Sequence, residues 1–242
     1  MHEIGERGVA PCWTLAALAT LIEMGTSVVI AAANAGVGKS TLLTALLEAV
    51  PPRREIRFLP PDPMPPPSES SRHVTIISGE MSPHHPAYLW GDDLVTVVAQ
   101  MTRGAQFLTT AHADDGLAVG RILINTGGSP LTEVHAQLPI VVVLRPDCQA
   151  KFSDHPLSRI DAIWRLSAHA GELIQTDLIT GDLDRDVAME QIIRAIPSFT
   201  IDRCIAWERH IMTAPAAPRD RDRPRVMLDR AERERSPDCG GA

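Results

Sequence analysis

Aromatic residues are scarce, at 4% of 242 residues with a single Tyr. So few rings exclude a stacking platform for single-stranded nucleic acid. An excess of positive charge is also missing. The formal net charge is −7, which excludes broad capture of nucleic acid or of an acidic membrane surface. The four cysteines, Cys12, Cys148, Cys204 and Cys239, include no CxxC pair. That removes a zinc knuckle and a thioredoxin-like motif, and leaves free thiols in a reducing compartment. The opening Met1-His2-Glu3 is acidic where a signal peptide is basic. The most apolar early stretch, Leu15 to Gly36, contains Glu23 and many small residues, and falls short of a membrane span. These absences point to a cytoplasmic protein without direct nucleic-acid binding, whose membrane contact would come through partners.

What remains is an ordinary globular composition, 44% hydrophobic and 22% charged, long enough to bury a core without disulfides or metals. Residues 13–24 carry apolar positions at helical spacing and stop at Gly25. Residues 27–32 are short and apolar, like a buried parallel strand. A Gly-containing loop and the helix-forming run from Lys39 to Val50 follow, ended by Pro51-Pro52. Further strands are expected at Glu55 to Leu59, Val74 to Ile77, Phe107 to Ala111 and Ile140 to Leu144. Helices are expected at Leu94 to Met101, at Asp115 to Asn125 with a cap near Asp114, and near Val187 to Ala195. Arg159 to Leu166 and Glu172 to Ile179 read as a closing pair of strands around Ala170-Gly171. Strands alternating with helices predict an α/β fold, a mostly parallel sheet flanked by helices, with antiparallel strands near the end.

Two composition breaks interrupt this order. Eight of the twenty prolines lie between Pro51 and Pro67, and residues 60–67 predict an exposed polyproline loop within 51–72. Residues 213–242 carry seven Arg and six acidic residues with almost nothing apolar, which predicts a disordered, charge-alternating tail. One domain over residues 1–212 is the expectation for the rest.

The sharpest chemical signal is Ala33-Asn34-Ala35-Gly36-Val37-Gly38-Lys39-Ser40-Thr41. It matches the phosphate-loop pattern GxxxxGK[ST] except that Ala33 replaces the first Gly. Such a loop sits between a strand and a helix N-terminus, where successive backbone N–H groups and the helix dipole hold an anion. Gly36, Val37 and Gly38 would form the cradle, Gly36 and Gly38 without a Cβ clash, and Lys39 would reach the β- and γ-phosphates. Ser40 would coordinate Mg²⁺, and Thr41 completes the pattern. If position 33 needs positive φ, Ala33 costs on the order of 1 kcal/mol.

Two downstream segments add to it. His73 to Glu80 is an apolar strand ending in an acid, and Glu80 on the strand next to the loop strand would hold Mg²⁺ or polarise an attacking water. Thr110-Ala111-His112-Ala113 would place His112 at the carboxyl edge of the sheet, where ligands sit in α/β folds. Paired His84-His85 and Asp92-Asp93 lack metal-ligand spacing and read as solvated.

The order of these motifs resembles the secretion ATPases of type II, type IV pilus and type IV secretion systems. Gly36 to Thr41 match that family's phosphate loop, Gly79-Glu80 the core of its Walker B segment, and Thr102, Thr110, His112 and Ala113 its His box. Arg121 fits an Arg that follows the box. The resemblance covers about residues 10–180 and, without a tetracysteine site, lies nearer the Tad-type pilus or type IV secretion branch. It implies a RecA-like core, ATP with Mg²⁺, a hexameric homo-oligomeric ring, and work on an inner-membrane secretion or pilus platform. It further implies that Lys39, Glu80 and His112 carry catalysis, His112 sensing the γ-phosphate or coupling hydrolysis to movement, with Arg103 or Arg121 as candidates for completing a neighbouring subunit's site.

Departures from the family pattern open a second reading. Arg103 and Gly104 stand in place of Gly-His in the His box, and Gln106 in place of Gly. The acidic box after the loop helix is replaced by residues 57–62, in which only Asp62 is acidic. A nucleotide-binding paralogue with a structural or regulatory role and little hydrolysis fits these changes. A small-molecule kinase fits less well, because a polyproline segment makes a poor lid and the His box has no role there.

Overall fold

The computed structural model describes residues 1–59, 69–85, 88–128, 138–146, 158–181 and 183–214. The proline run at 60–67, the residues beyond 214, Asp62, Cys148 and Cys239 lie outside them.

Seven strands form one sheet. In chain order they are β1 (Val28–Ala31), β2 (Glu55–Leu59), β3 (Val74–Ser78), β4 (Gln106–Ala111), β5 (Ile140–Pro146), β6 (Ser158–His169) and β7 (Glu172–Thr180). Across the sheet they run β2-β3-β4-β1-β5-β6-β7. The first five are mutually parallel, while β5–β6 and β6–β7 pair antiparallel. The α/β class and the antiparallel end of the sheet are as the sequence predicts.

Helices cover both faces, so the central strands are buried on both sides and need no polar alternation. One core joins α1 (His2–Glu6), α2 (Cys12–Glu23) and α3 (Lys39–Leu46) to Val28 and Ile30 of β1. It continues into α6 (Arg185–Ala195) and α7 (Ile201–Thr213) through Ile192, Cys204 and Ile211. The opposite core sets α4 (Asp92–Thr102) and α5 (Gly116–Gly127) against Val29 and Ala31 of the same strand.

Several boundaries differ from expectation. The loop helix stops at Leu46 and tightens into a 3₁₀ turn over Leu47–Ala49 before the prolines. The cap expected near Asp114 is supplied by Asp115, its carboxylate accepting from the Ala118 amide at 2.7 Å. The helices α1 and α7 are additions. In α7 only Cys204 and Ile211 are buried, too sparse a stripe to read from spacing.

One correction bears on the site. Glu80 follows β3, which is not beside β1, because β4 pairs with both. All six residues of β4 are buried, so it needs partners on both edges. β2, with exposed Glu55 and Ile56, takes the sheet edge instead.

Candidate functional site

Strand β1 ends at Ala31 and the chain turns through residues 32–38 into α3. Gly36 (φ 76°) and Gly38 (φ 86°) occupy the left-handed region that side chains resist. Ala33 does not: among the described residues Ala170 is the one non-glycine with positive φ, so the Ala33 cost does not arise. Gly38 is the N-cap of α3 and supplies no side-chain cap. The first amides of the helix therefore receive no side-chain acceptor from the N-cap residue, at the positive end of the helix dipole.

Lys39 is buried although cationic, and its ammonium is 3.4 Å from the Asn34 carbonyl. Burial lowers its pKa below the usual 10.5, and the Glu80 carboxylate partly raises it back. Ser40 and Thr41 are exposed on the first turn of α3.

Glu80 and His112 meet at the carboxyl ends of β3 and β4. Nε2 of His112 lies 3.3 Å from Oε1 of Glu80, and the Glu80 side chain is 12% exposed. That oxygen is buried and accepts no hydrogen bond, so the contact has ion-pair distance without hydrogen-bond alignment. The backbone around Glu80 is tied on three sides. Thr110 Oγ1 donates to the Gly79 carbonyl at 2.6 Å. The Met81 amide donates to the Thr110 carbonyl at 2.8 Å, and the Leu89 amide to the Glu80 carbonyl at 2.9 Å.

The sequence-selected residues thus fall into one neighbourhood, with Gly36, Val37, Gly38, Lys39, Ser40 and Thr41 on the loop and helix start. The Lys39–Glu80 charge interaction and the Glu80–His112 contact bring the acid and the imidazole to it. The residues fit a nucleotide with Mg²⁺. They offer a glycine cradle, a desolvated ammonium, an exposed hydroxyl at Ser40 and a buried carboxylate oxygen with no donor.

Other candidates lie elsewhere. Arg103 is the C-cap of α4, where its guanidinium donates to the Ala99 carbonyl, just before β4 begins. Arg121 is exposed on α5. Among the described residues no group of three metal-capable side chains exists, and Asp92 and Asp93 form the acidic first turn of α4.

Two features carried no sequence signal. The Ser158 hydroxyl, from the start of β6, donates to the Val37 carbonyl in the loop. A pocket of about 330 Å³ opens between Ala33, Asn34, Asp114 and the end of β5 at Leu144 and Arg145. Both depend on pairings that bring the end of β5 and the start of β6 beside the glycine loop, which local spacing cannot report.

No protein-family model matches the chain, and no curated protein matches it. Among solved structures, it is similar to the VirB11 ATPase from the Brucella suis type IV secretion system, a crystal structure in complex with sulphate. The identity is 16% and the TM-score 0.42, over 61% of this chain and 50% of that one, so the match spans half the length of that protein. No helix among the described residues is long and apolar enough to cross a membrane.

Proposed function

We propose that the chain binds and hydrolyses ATP as a RecA-like motor subunit of the secretion and pilus-assembly kind. It would act as a homo-oligomeric, hexameric ring in the cytoplasm, on an inner-membrane platform. The ATPase domain would span residues 1–212, with residues 213–242 as a solvated tail. The observation that carries this reading is the meeting of a desolvated ammonium, Lys39, with the Glu80–His112 pair beside an uncapped helix N-terminus.

Each residue has a separable task. The amides of the Gly36–Lys39 segment cradle phosphate oxygens. The Lys39 ammonium neutralises charge on the β- and γ-phosphates, and its partial desolvation strengthens that interaction. Ser40 and Glu80 would hold Mg²⁺, which supplies further neutralisation of the phosphate oxygens. The free Glu80 Oε1 accepts a proton from, or orients, the attacking water. His112, in contact with that oxygen, reports whether the γ-phosphate is present.

The test is ATP hydrolysis by the purified protein with Mg²⁺, beside Lys39→Ala and Glu80→Gln, over a range of protein concentrations. Turnover lost in both variants and rising steeply with concentration supports an assembling motor. ATP binding without turnover at any concentration sinks the hydrolytic reading in favour of a binding-only paralogue.

A further inference from the structure

The ladder between β3 and β4 contains an irregularity that places Glu80. Ile77 pairs with Leu108, and the next bridge joins Met81 to Ala111. Between those rungs Ser78, Gly79 and Glu80 face only Thr109 and Thr110. One extra residue on the β3 side breaks the regular ladder, as a bulge does, and re-aims the side chain that follows. A bulged carbonyl in a buried strand end needs a substitute partner.

Thr110 supplies that partner. Its side-chain Oγ1 donates to the Gly79 carbonyl at 2.6 Å, while its own carbonyl accepts from the Met81 amide at 2.8 Å. One fully buried residue therefore grips the peptide groups on both sides of Glu80. His112, two residues further along the same chain, meets the Glu80 carboxylate.

We propose that Thr110 is a positioning residue for Glu80: its hydroxyl holds the Gly79 bulge so that the carboxylate faces His112 and the loop. The proposal rests on the ATP-hydrolysing reading above for its catalytic consequence. It does not rest on it for the geometry. Thr110 touches no reacting group and acts through Glu80 alone. Removing its hydroxyl lowers kcat and leaves nucleotide affinity, set by the loop, unchanged.

The experiment compares wild type, Thr110→Val and Thr110→Ser in two readouts. The first is steady-state ATP hydrolysis with a separate measurement of ATP binding. Thr110→Val lowers kcat about tenfold to a hundredfold, in keeping with the sensitivity of catalysis to displacements near 1 Å, with binding within a factor of two. Thr110→Ser, which keeps the donor, restores most of the rate. The second readout is residue-resolved amide hydrogen exchange of the nucleotide-free protein. The Met81 and Leu89 amides exchange faster in Thr110→Val, and the amides of the central strands do not. If Thr110→Val fails to fold, Thr110→Ala replaces it in both arms.

Wild-type turnover equal to the Lys39→Ala background overturns the hydrolytic reading. Faster Met81 and Leu89 exchange in Thr110→Val than in wild type would still support the Thr110 pin. Exchange and kcat both at wild-type level in Thr110→Val overturn the proposal. Faster exchange with unchanged kcat overturns the catalytic half of it. Equal losses in Thr110→Val and Thr110→Ser also overturn it, since the hydroxyl is then not the cause.

Discussion

Burial weakens the hold of Lys39 on its proton, and the Glu80 carboxylate partly restores it. The two residues belong to different strand–loop units, 41 positions apart, yet share one electrostatic environment. The ammonium is kept in place at a cost to the fold, because a buried cation is stable only when paired.

Lys39→Met removes this cost. The variant is expected to melt at a higher temperature than wild type while losing ATP binding. The pH dependence has a definite sign. A cation with a folded-state pKa below 10.5 destabilises most at neutral pH, and the deficit shrinks as pH rises through the lowered pKa toward 10.5. The Tm gap between Lys39→Met and wild type should therefore narrow with rising pH. A gap that widens would contradict the buried-cation account.

Cys204 carries the opposite sign. Burial, helped by Glu208, raises its thiol to about 11 from 9.0, against smaller lowering effects of Arg185 and of a Thr20 hydrogen bond. The neutral thiol is favoured in the fold, so its contribution is fully present below pH 9 and is lost as pH rises toward 11. Cys204→Ala should lose less stability between pH 8 and pH 10, on the order of one unit to either side of 9, than wild type does. A variant retaining Cys204 as its one cysteine should resist alkylation until it unfolds, checked by mass spectrometry.

Gly127 ends α5 against α4. A Cβ built there would come 2.5 Å from Cγ2 and 3.2 Å from Cβ of Val98. Val98 is fully buried and β-branched, so it has little freedom to move aside. Gly127→Ala is expected to cost about 1–3 kcal/mol by overpacking, read from chemical denaturation. Adding Val98→Ala should recover part of that loss, in a way that two independent sites would not.

Ala170 opens the β6–β7 turn at φ 52°, followed by Gly171 at φ 81°. Two successive left-handed residues favour Asn-Gly over Ala-Gly. Ala170→Asn should stabilise the protein by roughly 0.5–1 kcal/mol with no change in the hydrogen-exchange pattern of the loop at 33–38. An unchanged or lower denaturation midpoint would count against the strain.

Much of the fold was legible because its signals are local. β-Branched runs marked β1 and β5, Gly25 marked the end of α2, and Ala170-Gly171 marked the hairpin. The glycine loop was legible for the same reason, since its pattern is contiguous. What escaped depends on pairing across the chain. The place of β4 between β1 and β3 follows from burial of all six of its residues, which spacing cannot distinguish from an edge strand. Helix α7 was missed because its long polar face hides a stripe held by Cys204, Ile211 and a Trp207 indole that donates to Glu23 at 3.0 Å. The Glu80–His112 contact was foreshadowed by motif order, but Thr110 and Ser158 act through hydrogen bonds over 31 and 121 positions.

The strand order also sets when the site can exist during folding. β1 pairs with segments that begin 78 and 112 residues later, at Gln106 and Ile140. Parallel, non-local pairings must close large loops before they are rewarded, which places them late and slow on the folding route. A nascent chain released before β5 is made would carry every residue of the glycine loop and both Glu80 and His112. It would still leave one edge of β1 unpaired, an exposed apolar edge suited to aggregation or to a chaperone.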